Sequence, residues 1–188
     1  MTEARVHSGP VTAVFGGSFN PPHVGHAMVA AWLRWTGQVD EVWFVPACEH
    51  AFGKSLAPWE SRLAAVRALA DVVNGAGDSW AQVSDIELTL PRPSYTITTL
   101  DALRERHRDR QFRLVVGADV WAQLPMWREY ERVIGEYAPI IVGRAGYPEV
   151  SGMPTFPGVS STDIRERIAR GEDVSGLVPR VVLDAWNG

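Results

Sequence analysis

Cysteine is nearly absent: Cys48 stands alone, so neither an intramolecular disulfide nor a thiolate zinc cluster can hold the fold. Positive charge is not in excess either. Eighteen Lys plus Arg against 22 Asp plus Glu leave a formal charge of −4, which argues against a broad nucleic-acid surface. The nearest basic stripe, Arg104 to Arg110, is interrupted by Glu105 and Asp109 and follows an apolar helical pattern, as a solvated helix end does. No stretch approaches the roughly 18 uninterrupted apolar residues of a membrane span, and the first residues lack the basic-then-apolar pattern of a secretory signal. No membrane partner and a cytoplasmic location are therefore expected. Two common nucleotide loops are also missing, the dinucleotide glycine fingerprint and the phosphate loop that ends in glycine, lysine and a hydroxyl residue.

What is present suffices for a core. With 188 residues, 46% of them hydrophobic and 21% charged, the chain is expected to form one domain over 1–188 with its core at about 11–183. There is no internal repeat, low-complexity tract or interdomain linker. Val11 to Phe15 reads as a buried strand entering a Gly16-Gly17 turn, and the apolar pattern from Val24 reads as a helix after Pro21 and Pro22. Val42 to Val45 predicts a second strand, and Glu60 to Val73 a second helix. A strand is predicted around Gln82 to Leu88, a helix over Ser94 to Leu103, and strands over Phe112 to Val116 and Pro139 to Val142. Another helix follows Ser161. Strand and helix in alternation predict an α/β fold: a Rossmann-like parallel sheet flanked by helices, with a small helical C-terminal portion.

The most informative stretch runs from Gly16 to His26. Gly16 and Gly17 permit close backbone approach to an anionic oxygen. His23 and His26, three apart, share a face of the first helical turn, where unpaired N–H groups and the helix dipole favour negative charge. Gly25 between them leaves room for a phosphate. Such a site suits charge that develops on a transferring phosphoryl group, although two histidines also fit simple capping or part of a metal site. After the second strand, Lys54 can reach a phosphate, with His50 a competitor in the same loop. Arg62, also after the second strand, either faces a ligand or, more plainly, opens a helix and solvates it. Asp119, after Gly117-Ala118, can accept from ribose hydroxyls, while Trp121 and Trp127 suit either stacking on a heterocycle or the core. Ser160-Ser161-Thr162-Asp163-Ile164-Arg165 has the pattern of an ordinary helix cap, yet Arg165 one turn in can also fork onto phosphate.

Together these segments resemble the nicotinate mononucleotide adenylyltransferase family, among the nucleotidyltransferases with a histidine-any-glycine-histidine motif. The resemblance rests on Gly16 to His26, Asp85-Ile86-Glu87-Leu88, Pro93-Ser94-Tyr95-Thr96, Gly117-Ala118-Asp119 with Trp127, and Ser160 to Arg165, and spans about 11–183. It implies a nucleotidyltransferase-type fold and transfer of AMP from ATP to nicotinate mononucleotide, with Mg²⁺ accompanying ATP. His23, His26, Lys54 and Arg165 would be catalytic. Gly16, Gly17, Ser18, Phe19, Gly25, Gly117, Asp119, Ser160, Ser161 and Arg165 would hold ATP, and Asn20, Lys54, Tyr95, Thr96 and Trp127 the mononucleotide. The chain departs from the family near Lys54, where Cys48-Glu49-His50-Ala51-Phe52-Gly53 precedes the lysine in place of a proline-histidine segment. Nicotinamide mononucleotide or another phosphorylated acceptor, and a non-catalytic ATP-binding regulator, stay open as alternatives, as does homo-oligomerisation.

Overall fold

In the computed structural model, which describes residues 9–49, 56–149 and 151–187, the run after Pro10 becomes strand β1 (Val11–Gly17). Helix α1 (Val24–Trp35), strand β2 (Glu41–Pro46) and helix α2 (Trp59–Asn74) follow. Helix α2 stops where Gly75 turns to φ +64°, a conformation that costs glycine little. Next come β3 (Ala81–Val83), α3 (Thr96–Arg106), β4 (Gln111–Gly117), α4 (Ala118–Trp121), α5 (Tyr130–Tyr137), β5 (Ile140–Arg144), β6 (Thr155–Phe156), α6 (Ser161–Ala169) and α7 (Arg180–Asn187).

The strands form a six-stranded sheet in the order β3-β2-β1-β4-β5-β6, and every neighbouring pair is parallel. Alternate residues face opposite layers, as the pleat requires. Ala13, Val42, Phe44 and Val115 pack with Val29, Leu33, Val66, Leu69, Ile164 and Val182 of α1, α2, α6 and α7. Val14, Trp43, Val45, Leu114 and Val116 pack with Ile97, Leu100, Leu103, Val133 and Tyr137 of α3 and α5. Burial on both faces explains why these strands read as apolar runs. Helix α7, the helical C-terminal portion, lies along α2. Among the described residues no helix is long and apolar enough to cross a membrane.

One predicted strand is corrected. The alternation over Gln82 to Leu88 belongs to a strand of only three residues, followed by a 3-10 turn at Ile86–Thr89 that buries Ile86 and Glu87. The region after Gly117 is likewise one short helix and a second 3-10 turn, Leu124–Met126, which contains a proline.

Candidate active site

From β1 the chain winds outward through β2 and β3, then returns and winds the other way through β4, β5 and β6. Its direction therefore reverses between β1 and β4, and in open parallel sheets the crevice for ligands lies at the carboxyl ends of such strands. Two cavities open there. One, of about 400 Å³, is lined by the β1–α1 loop, the ends of β4 and β5, and the start of α6. The other, of about 470 Å³, is lined by the ends of β1, β2 and β4, the segment after the Ile86–Thr89 turn, and α3. Both reach Phe15, Ser18 and Gly117.

The β1–α1 loop turns around a buried Phe19, whose φ of +47° is unusual for a residue with a side chain. Its ring meets Phe15 and Phe44 edge-on. A Cβ on Gly17 would come 3.2 Å from that ring, so this glycine leaves space for Phe19. Asn20 is buried, and its Oδ1 accepts from the Ala57 N–H at 3.2 Å. The loop is held from the other side by Arg62, which corrects the reading of that residue as solvated. Arg62 is 1% exposed and donates to the carbonyls of Ala57, Ser18, Ala47 and Cys48 at 2.8–3.4 Å.

His23 is the N-cap of α1, with an extended backbone, and the Nδ1 of His26 accepts its N–H at 3.1 Å. That bond places the proton of a neutral His26 on Nε2. The two rings stack at 3.8 Å between centroids. A Cβ on Gly25 would sit 3.0 Å from the His23 ring, so the glycine makes room for the imidazole as well as for a ligand. Among the described residues the buried Nδ1 of His23 has no partner.

Burial pushes the His23 imidazole down to about 4, with a further push from the Arg144 charge. Burial, His23 and Arg144 hold His26 well below the ordinary imidazole range too, so both rings are neutral at pH 7. Stability follows. The neutral form is favoured in the fold, so the contribution is complete above the unfolded value near 6.5 and is lost as pH falls towards 4, at up to about 1.4 kcal/mol per pH unit per group. Thermal melts between pH 7 and 4.5 are expected to show a steeper loss in wild type than in His23→Gln; parallel curves would contradict this.

On the far side of the first cavity, Ser160 caps α6 by accepting from the N–H groups of Thr162 and Asp163. Ser161 Oγ donates to the Pro21 carbonyl at 2.8 Å, and Arg165 Nη1 donates to the Asn20 and Ser161 carbonyls at 2.6 and 3.1 Å. The helix is thus joined to the loop that carries the histidines. Gly117 is confined by Asp119, whose Oδ1 would lie 2.4 Å from an added Cβ. The other Asp119 oxygen pairs with Arg144 at 3.2 Å. Sequence reasoning did not single out Arg144; its place straight after Gly143, at the carboxyl end of an apolar strand, was the available signal.

Gly16, Gly17, Ser18, Thr96 and Trp127 line the second cavity. Two residues expected there do not. Asn20 lines the first cavity, and Tyr95 is 42% exposed, with the Arg128 guanidinium stacked on its ring at 5.0 Å. Trp121 packs against the core beneath. The second cavity also contains Glu87, a buried carboxylate that accepts from the hydroxyls of Ser94 and Thr99. Its role was not read from sequence, although it lies within one of the quoted segments. Lys54 and His50 lie outside the described residues. Among the described residues no group of three or more His, Cys, Asp and Glu is placed to hold a metal ion.

The sequence matches the cytidylyltransferase-like family model over residues 14–167. A chain of Anaeromyxobacter sp. (strain K) named as a probable nicotinate-nucleotide adenylyltransferase is 47% identical over 172 residues, covering 91% of this chain and 90% of that one. A Thermus thermophilus chain of the same name is 36% identical, with 90% and 92% covered. In fold, the chain is similar to the structure of Plasmodium falciparum nicotinic acid mononucleotide adenylyltransferase complexed with NaAD, with a TM-score of 0.74, 19% identity and 93% of each chain covered. A matched family model across most of the chain, and relatives this similar over nine-tenths of both lengths, make the chain a member of the nicotinate-nucleotide adenylyltransferase family.

Proposed function

We infer that this protein transfers AMP from ATP to the 5′-phosphate of nicotinate mononucleotide, giving deamido-NAD and pyrophosphate. The observation that carries this reading is the stacked His23–His26 pair at the start of α1, in the first of two cavities that meet at Phe15, Ser18 and Gly117. ATP is assigned to the cavity bounded by His23, His26, Asp119 and α6, and the mononucleotide to the one bounded by Thr96 and Trp127. Residues 11–183 would act as one catalytic unit, in the cytoplasm.

The acceptor phosphate is already an anion, so no base is needed to generate the nucleophile. It attacks the α-phosphorus in line, and pyrophosphate leaves. Chemistry of this kind depends on positioning and on donors fixed where negative charge grows. His26 offers its Nε2–H, the start of α1 adds its dipole, and the histidine pair can take up a proton as phosphoryl charge raises its affinity for one. Ser161 and Arg165 hold the outer phosphates, and the Gly16-Gly17-Ser18 backbone holds the junction between the substrates. Lys54 is assigned a phosphate contact on sequence grounds. Asp119 is the sole carboxylate lining the first cavity among the described residues, and it is paired with Arg144. This donor set fits a magnesium ion carried by phosphates and water rather than by a protein cage. When bound, the ion would neutralise phosphate charge.

Pyrophosphate release with Mg²⁺-ATP and either nicotinate or nicotinamide mononucleotide, with products identified by mass, tests the assignment. Selective turnover of the acid supports it, turnover of the amide alone reverses the acceptor, and no turnover with either overturns the reaction. For Arg165→Ala, the loss of a charge-assisted phosphate contact is expected to raise KM for ATP about tenfold to a hundredfold. An ATP saturation curve matching wild type would remove Arg165 from the site.

A further inference from the structure

The carboxyl end of β5 carries an arginine that the reading above does not use. Arg144 lines the first cavity and joins two distant segments: Nη1 meets Asp119 Oδ2 at 3.2 Å, and Nη2 donates to the Val159 carbonyl at 2.7 Å. Asp119 lies in the first turn of α4, just after β4, while Val159 immediately precedes the Ser160 cap of α6. The backbone linking these parts is sparse. β4 and β5 pair over three residues, Val115–Gly117 with Ile140–Val142, and β5 and β6 over two. Packing beside Arg144 is nonetheless tight: a Cβ on Gly143 would come 2.8 Å from the Pro154 carbonyl, and one on Gly158 2.9 Å from the Ala145 carbonyl. A planar guanidinium can hold two partners at a fixed angle, which an ammonium cannot.

We propose that Arg144 is a positioning residue for adenylyl transfer, a strut that fixes Asp119 and the start of α6 relative to each other so that the nucleoside and phosphate ends of ATP are presented to the histidines in register. Asp119 faces this site from α4, Arg165 from α6 and the histidines from α1. Arg144 adds positive charge beside the histidines, in keeping with their neutral form. Without the strut, the carboxylate and the α6 cap would move independently, and ATP would lose orientation while the acceptor cavity stayed intact. This inference rests on the adenylyl-transfer reading for its kinetic part only.

The test is a double-mutant cycle on Arg144→Gln and Asp119→Asn, read by steady-state kinetics and by calorimetric binding of Mg²⁺-α,β-methylene-ATP. Arg144→Gln is expected to weaken analogue binding and raise KM for ATP about tenfold or more, with KM for the mononucleotide within twofold of wild type. If the two residues act as one unit, the double variant is no worse than the poorer single variant. Arg144→Lys keeps the charge and is expected to recover only part of the loss. Losses that multiply in the double variant, or full recovery with lysine, would overturn the strut. Should Arg144→Gln fail to melt cooperatively, Arg144→Lys paired with Asp119→Asn gives the same cycle. If wild type binds the analogue yet releases no pyrophosphate, the proposed reaction fails while the binding cycle still decides on Arg144.

Discussion

His23→Ala is expected to lower kcat by about 10²–10³-fold while leaving the affinity for ATP within a few-fold of wild type. The magnitude is that of removing one preorganised donor from a site where transition-state charge accumulates. The split between kcat and affinity follows from position. Contacts with the outer phosphates are assigned to α6 and with the ribose to Asp119, whereas the stacked pair occupies the start of α1 next to the junction of the two cavities. His26→Ala is expected to cost a similar amount, and the double variant little more than either alone, because residues that act as a unit are not additive. The His23 Nδ1 has no hydrogen-bond partner to lose among the described residues, so the cost to folding is that of the space vacated by a buried ring. Steady-state rates with calorimetric ATP affinities measure both quantities; unchanged turnover would displace His23 from the chemistry.

At Arg62 a loss of stability is expected as large as that of emptying a buried apolar core position. Its guanidinium is buried and donates to carbonyls from the β1–α1 loop, the segment after β2 and the entry to α2. Arg62→Ala would leave the Ser18 and Ala47 carbonyls without their 2.9 and 2.8 Å partners. Each unsatisfied buried polar group costs about 1–3 kcal/mol, and a loss of about 3–5 kcal/mol in a denaturant melt is expected for the whole hub. Arg62→Lys retains the charge but not the five-donor fork and is expected to recover only part. A loss below about 1 kcal/mol would show that the loop holds itself. Because Ser18 lines both cavities, turnover is expected to fall even where the variant stays folded.

How far the site was legible depended on whether its parts lie together in sequence. The Gly16 to His26 stretch carries its own punctuation, a buried strand, paired glycines and a helix start, and could be placed without tertiary knowledge. The Ser160 to Arg165 cap could be placed for the same reason. Arg62 and Arg144 could not be read in this way. Each has its meaning through carbonyls or a carboxylate 14–44 and 15–25 positions away, respectively, apart from the nearby Ala57 carbonyl, and local pattern reports only that an arginine lies near an element's end. The same limit explains Glu87: alternating residues around it suggested a strand, but its carboxylate is satisfied by the hydroxyls of Ser94, just before α3, and Thr99, in its first turn, which allows the chain to turn and bury it. Asn20 shows the reverse case, a polar residue beside the motif whose side chain holds the loop.

The meeting of both cavities at Phe15, Ser18 and Gly117 bears on how such a chain can diversify. Beyond those three positions, the walls of the two chambers share no residue among those described, and effects at sites without common partners tend to combine independently. If the second cavity takes the acceptor, as proposed, selection on Thr96, Thr99, Val120 or Trp127 would retune the acceptor without retuning the nucleotide. A change at Ser18 or Gly117 would alter both at once. The dividing wall is therefore where drift should be slowest, and the chamber assigned to the acceptor is where a new specificity would arise at least cost to the rest of the reaction.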